Sequence, residues 1–164
     1  MPVTHDPEHL IGLFNKLFLG TFNCRLVRGG EEPLYRPAVG QGDHHQLRFA
    51  HGFFASALHE IAHWCIAGTE RRQQQDFGYW YEPKRDQLRQ TEFERMEARP
   101  QGLEWVFSDA AGFVFQPSID NLELDADPAP FLRQVAQARQ DWLNQGLPAQ
   151  AVIFRQALAG FYQT

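Results

Sequence analysis

His59-Glu60-Ile61-Ala62-His63 is the string of this 164-residue chain whose residue types and spacing speak most directly of chemistry. Helical residues four apart lie about 40° apart around the axis and one turn along it. Both imidazoles therefore face the same way and can share one ion. Neutral imidazole nitrogen suits zinc, iron, copper or nickel. An ion also answers a burial problem, because two histidines and a glutamate stand here in a strongly apolar run. Polar groups without partners are costly to bury, and a metal would satisfy the histidines.

Two histidines make an incomplete site, so a third ligand must come from elsewhere. The longer string His-Glu-x-x-His-x-x-Gly-x-x-His is not met, since Ile66 stands at the glycine position and Thr69 at the third histidine. A carboxylate on a second helix is the remaining common arrangement, and Glu94, Glu97 and Glu104 fall in the right interval. His44, His45 and His51 compete as nitrogen donors. Spacing alone leaves three chemistries open. A zinc hydrolase would use Glu60 as its general base. A centre of two histidines and one carboxylate, with open positions, suits non-haem Fe(II) and oxygen chemistry. A non-catalytic domain built on structural zinc would want four protein ligands, often cysteine, and only Cys65 is near. A di-iron bundle would need a second Glu-x-x-His beside Glu60 to His63, which the sequence lacks.

The elements that position these groups follow from periodicity and punctuation. Leu10, Leu13, Phe14, Leu17 and Phe18 recur at helical spacing behind Asp6-Pro7, and Gly20 is expected to end that helix. Cys24 to Val27 reads as a short strand closed by Gly29-Gly30. Residues 33–43, with Pro33, Pro37, Gly40 and Gly42, read as a loop with a brief extended piece at Leu34-Tyr35. Leu47 to Ala50 is a second strand. Phe53 to Ala67 is a helix apolar on nearly every side, which belongs in the middle of a domain, and Gly68 supplies its stop. Phe77 to Tyr81 is strand-like or loop-like. A polar helix over 86–99 is expected to break at Pro100, with a second helical segment from Gln101 to Phe115. Asp120 to Pro130 reads as an acidic surface loop, and the last helices span about 131–144 and 149–162. The sum is α+β, a single compact domain over residues 1–164 with about five helices, a small sheet and the metal site on a central helix.

Length suits one domain, and 14 Phe, 4 Tyr and 4 Trp supply enough aromatic surface for a sizeable core. A formal charge of −5 argues against a nucleic-acid partner. The short run Glu70-Arg71-Arg72 reads as a solvated helix end, and a mildly acidic surface favours a cationic substrate instead. Cys24 and Cys65 have no paired spacing, so neither a zinc knuckle nor a disulfide framework follows. Met1 to His9 lacks a basic region followed by an apolar run, and no stretch approaches the roughly 18 apolar residues of a spanning helix. A cytoplasmic protein without a membrane partner is expected.

Longer strings add to this reading. Phe49-Ala50-His51-Gly52-Phe53, Leu58-His59-Glu60-Ile61 and His63-Trp64-Cys65-Ile66-Ala67-Gly68 resemble the elongation factor P hydroxylase family, the YfcM-like proteins. So do Asp76-Phe77-Gly78-Tyr79-Trp80-Tyr81, Pro100-Gln101, Ala110-Ala111-Gly112 and Asp120-Asn121-Leu122-Glu123, and the similarity runs from the first helix to the last. The resemblance implies a hydroxylase of the Fe(II) type that uses molecular oxygen, with zinc or another divalent metal as the alternative. Its implied substrate is the β-lysylated lysine of elongation factor P. By position, His59 and His63 match the family's paired histidines, and Glu97, in Glu97-Ala98-Arg99-Pro100-Gln101, matches its carboxylate. Glu60 has no required duty in such a hydroxylase and is expected to support catalysis through a hydrogen bond that orients an imidazole. Asp76, Tyr79, Trp80 and Tyr81 are candidate substrate-binding wall residues, because aromatic faces suit an ammonium stem. The implied fold is α+β and similar to that of a bacterial metal-dependent ribonuclease, a likeness that does not carry activity with it.

Overall fold

The computed structural model describes residues 4–72, 87–119, 122 and 126–163, and of residues 69–71 and 87–93 only the backbone. Over these residues the chain forms five helices and a small sheet, the α+β architecture expected. Helix α1 runs Pro7–Phe22. The Asp6 side chain accepts the Glu8 N–H at 2.9 Å, and Pro7 gives up an N–H that would have no helical partner. Gly20 does not end the helix, which closes instead on Asn23, where a left-handed backbone (φ 54°) brings the N–H to the Leu19 carbonyl. A glycine costs a helix roughly 1 kcal/mol. That is too little to stop one whose Leu10, Phe14 and Phe18 are buried.

Strands β1 (Cys24–Arg28), β2 (Leu34–Arg36) and β3 (His45–Phe49) form one sheet in the order β1-β3-β2. β1 lies parallel to β3 and β2 antiparallel to it, with Leu26 and Tyr35 both opposite Leu47. Those three side chains, with Cys24 and Phe49, bury one face. β3 starts two residues earlier than Leu47, because His45 and Gln46 pair with Cys24 and Arg25. Ladder hydrogen bonds, rather than apolar character, set its beginning.

His51 (φ 58°) and Gly52 (φ 67°) take left-handed backbone in succession and turn the chain from β3 into helix α2, Phe54–Arg71. A Cβ at Gly52 would collide with the Arg28 guanidinium, and Ser56 Oγ accepts the Ala50 N–H at 3.0 Å to fasten the turn. Phe54, Ala57, Leu58, Ile61, Ala62, Trp64 and Cys65 are all buried, so α2 is the central helix. At Gly68 the backbone leaves helical geometry (φ 81°, ψ 172°) and one more turn follows. Arg72 is not at a solvated end. It is 8% exposed, donates to the Trp64 carbonyl at 2.9 and 2.7 Å, and lies 3.8 Å over the Trp64 ring. A buried guanidinium thus caps the carbonyl end of the central helix, where positive charge is favoured.

Helix α3, Gln87–Ala111, passes through Pro100 without a break. The proline leaves the Met96 carbonyl without its helical donor, at a cost of about 3 kcal/mol. Burial of Ala98, Leu103, Val106, Phe107, Ala110 and Ala111 offsets it. The helix stops at Ala111 rather than Phe115: Gly112 turns left-handed (φ 66°) and the Phe113 N–H returns to the Ser108 carbonyl at 2.8 Å, closing the end as a Schellman motif does. Phe115 folds back to stack on Trp105 at 4.9 Å. Helices α4 (Ala129–Gln145) and α5 (Ala149–Tyr162) complete the fold near their expected bounds. α4 lies so close to α3 that a Cβ on Gly102 would sit 2.7 Å from the Arg139 nitrogen. Cys24 and Cys65 are free and buried, and burial pushes both thiols up to about 12. Among the described residues no helix is long and apolar enough to cross a membrane.

Candidate metal centre

The central helix and α3 meet through four side chains. α2 presents His59 and His63 one turn apart, and α3 presents Glu97 and Glu104 two turns apart. His59 Nε2 lies 3.0 Å from His63 Nε2 and 2.8 Å from Glu97 Oε1. His63 Nε2 lies 3.5 Å from Glu97 Oε2. On its other edge, His59 Nδ1 lies 2.8 Å from Glu104 Oε1. Glu97 and Glu104 keep 3% and 7% of their side chains exposed, and His59 keeps 17%.

The contacts dictate where hydrogens sit. An ionised carboxylate only accepts, so His59 Nδ1 donates to Glu104 and, in the neutral ring, Nε2 is left as a lone pair. That lone pair faces an acceptor oxygen of Glu97. Such a crowd of acceptors is relieved by a proton or by a cation. Burial works to lower the His59 pKa, yet the Glu97 charge and the hydrogen bonds to both carboxylates outweigh it and hold the pKa well above 6.5. Burial likewise pushes the Glu97 carboxyl up, and the charges of His59 and His63 override it to hold the group well below the ordinary carboxylate range. Glu104 is raised by burial, with the His59 hydrogen bond acting against the rise.

These residues fit a metal ion. One donor atom each from His59, His63 and Glu97 lie within 4.8 Å of one another, a group found once among the described residues. Separations of 2.8, 3.0 and 3.5 Å are close to the roughly 3.0–3.4 Å between neighbouring ligands, from right-angle to tetrahedral spacing, on an ion with bonds of about 2.1 Å. Glu97 Oε2 is buried without a hydrogen-bond partner, which a cation would supply. Two imidazoles and a carboxylate suit iron or zinc.

His59, His63 and Glu97, expected from the sequence, are therefore brought together. The competing donors are elsewhere. His44 bonds to Asn23 Oδ1 at 2.7 Å, His45 Nδ1 accepts the Ala38 N–H at 2.9 Å, and His51 is exposed beside Phe53. Glu94 is half-buried and outside the group. Glu60 is 4% exposed and, one helical step from His59, stands outside the three-ligand group. Asp76, Tyr79, Trp80 and Tyr81 lie outside the described residues. Sequence reasoning weighed Glu104 as a ligand and missed it as a partner of His59. The available signal was its spacing of seven from Glu97, which puts both on one helix face, but a break at Pro100 hid it. Gln101 was also missed. It is fully buried on the same stripe, and its amide exchanges two 3.0 Å hydrogen bonds with the Ser118 backbone.

Residues 13–164 match the family of elongation factor P hydroxylases. The chain is 47% identical over 162 residues to a Haemophilus influenzae protein named elongation factor P lysine hydroxylase, covering 98% of this chain and 91% of that one. With a match that spans both the metal helix and the helix facing it, the chain belongs to the elongation factor P hydroxylase family.

Proposed function

We propose that this chain, read as one domain over residues 1–164, hydroxylates the β-lysylated lysine of elongation factor P in the cytoplasm, with His59, His63 and Glu97 holding Fe(II). The observation that carries the reading is the convergence of these three donors on one point within a chain so similar to a named elongation factor P lysine hydroxylase. Fe(II) held there would supply the redox chemistry of C–H hydroxylation by molecular oxygen, one atom entering the product and the other leaving as water with two electrons and two protons from an external reductant.

The chain's own residues do the rest. His59 and His63 contribute neutral nitrogens, and Glu97 contributes the negative charge that favours a divalent ion over a proton. Leu58, Ile61, Ala62 and Leu103, neighbours in sequence of the histidines and of Glu104, are each fully buried, so the stretches of α2 and α3 that carry the centre are anchored in the core. His59, the most exposed of the four polar groups, marks the side from which a side chain can approach. On the sequence pattern we assign Asp76, Tyr79 and Trp80 to substrate binding, with aromatic faces beside the aliphatic stem and a carboxylate for its ammonium group. Glu60 is assigned a supporting role next to His59 rather than acid–base work.

The test is to incubate the chain with Fe(II) and β-lysylated elongation factor P in air and weigh the product by mass spectrometry. A gain of one oxygen atom on the modified lysine is expected. No gain, together with zinc-dependent cleavage of a peptide or RNA that needs Glu60, would replace the hydroxylase with a zinc hydrolase.

A further inference from the structure

We propose that Glu104 is the positioning residue of the metal centre, accepting the Nδ1–H of His59 and so committing the Nε2 lone pair to the ion. The inference rests on the metal-centre reading and adds to it the group that sets one ligand's tautomer and aim.

Glu104 cannot itself be a ligand in this arrangement. It meets His59 at Nδ1, 2.8 Å away, while the other three donors gather at Nε2 on the far edge of the ring. A metal-binding imidazole almost always gives its second N–H to a carboxylate, carbonyl or water, which fixes the ring and raises its basicity. Glu104 meets that description with a carboxylate that burial confines. It is 5% exposed, and its chain neighbours Leu103, Val106 and Phe107 are buried at 0–2%. Ser108 Oγ donates to its backbone carbonyl at 2.9 Å. A ring held this way cannot flip without leaving a buried carboxylate unpartnered, which is costly.

Glu104 also explains a pattern of α3. Among the described side chains of that helix, Glu97, Gln101, Glu104 and Ser108 are the buried polar ones, spaced four, three and four apart. Glu97 faces the histidines, Gln101 clamps the segment after the helix, Glu104 holds His59, and Ser108 bonds back to Glu104. Each member of the stripe has a stated duty.

The experiment is a Co(II) titration of the chelator-stripped full chain, followed by its d–d absorption, for wild type, Glu104→Ala and Glu104→Gln. Glu104→Ala should bind about 10–100-fold more weakly, the usual loss for an outer partner of a metal ligand. Glu104→Gln, whose amide oxygen can still accept Nδ1–H, should recover most of that loss. Long-range 1H–15N spectra of the zinc-loaded wild type should show the His59 hydrogen on Nδ1. Undiminished binding by Glu104→Ala overturns the proposal, as does equal weakening in both variants, which would make the effect one of charge. A hydrogen on Nε2 overturns it even if neither variant folds. Absence of Co(II) binding in the wild type would instead remove the metal centre itself, and this role with it.

Discussion

Glu97 and Glu104 grip opposite nitrogens of a single imidazole, each from 2.8 Å and each from the same helix. The two carboxylates are seven residues apart, about 10 Å along the axis, so His59 lies lengthwise against α3. The arrangement requires the helix to continue through Pro100. A bend there would swing one carboxylate away from the ring.

Replacing Glu97 by alanine removes the anion of the centre and leaves two neutral nitrogens. Divalent-metal affinity should fall by more than the roughly 10–100-fold typical of outer partners, as read by equilibrium dialysis against Co(II) or Zn(II). Full occupancy in that variant would move the third ligand to another residue.

The metal-stripped protein should show a stability profile set by the same groups. Folding raises His59 well above 6.5, so its contribution is complete below that pH and is lost as pH rises through the folded value. Glu97 is lowered from 4.5, so its contribution is present above that pH and is lost as pH falls through its folded value. Glu104, raised from 4.5 by burial, acts in the opposite sense to Glu97 and loses stability as pH rises above 4.5. For His59 and Glu97 together the maximum therefore lies between 4.5 and 6.5. Calorimetry should record a melting temperature that falls as pH rises above 6.5. Zinc should reverse that trend, because the ion displaces the His59 proton and binds better as pH rises. A flat profile without metal would show that His59 gains no proton on folding.

Arg72 holds the end of the metal helix by hydrogen bonds to the Trp64 carbonyl and by its stack on the Trp64 ring. Arg72→Met keeps the apolar stem but removes the guanidinium from the Trp64 carbonyl and ring. A loss of about 2–4 kcal/mol is expected in urea unfolding, combining a charged hydrogen bond with a desolvated cation–π contact. A midpoint equal to wild type would mean that solvent closes this helix end equally well.

Two glycines should respond to alanine with opposite signs. At Gly102 a Cβ would press to 2.7–2.8 Å on the backbone and Cβ of α4, with no flexible group to give way. Overpacking of this kind costs about 1–3 kcal/mol, more than the gain in helix propensity. At Gly12 on α1 the added methyl meets nothing within 4 Å, so Gly12→Ala should gain up to about 1 kcal/mol. Thermal melts of the two variants against wild type test both, and stabilisation by Gly102→Ala would show that α4 does not approach α3 as closely as described.

Much of the site was legible in the chain itself. The spacing of His59 and His63 places both rings on one side of a helix whatever surrounds it, and the apolar residues on every face of that helix put it in the middle. The choice of Glu97 over Glu94 and Glu104 was different. It came from likeness to a family, because nothing local marks that Glu97 and Glu104 turn inward while Glu94 stays half-buried.

Where local reading failed, the winning force came from elsewhere in the molecule. Pro100 reads as a break because it lacks an N–H, yet the packing around α3 outweighs one lost hydrogen bond. Arg72 reads as a solvated end, yet an aromatic face and an open carbonyl draw it inside. Backbone propensity and side-chain periodicity act over a few residues, so the metal helix and its paired imidazoles were written in the order of amino acids. The meeting of α2 with α3, which sets one glutamate against each nitrogen of His59, depends on side chains about forty positions apart coming within 3 Å. Only the folded packing of those two helices sets that distance.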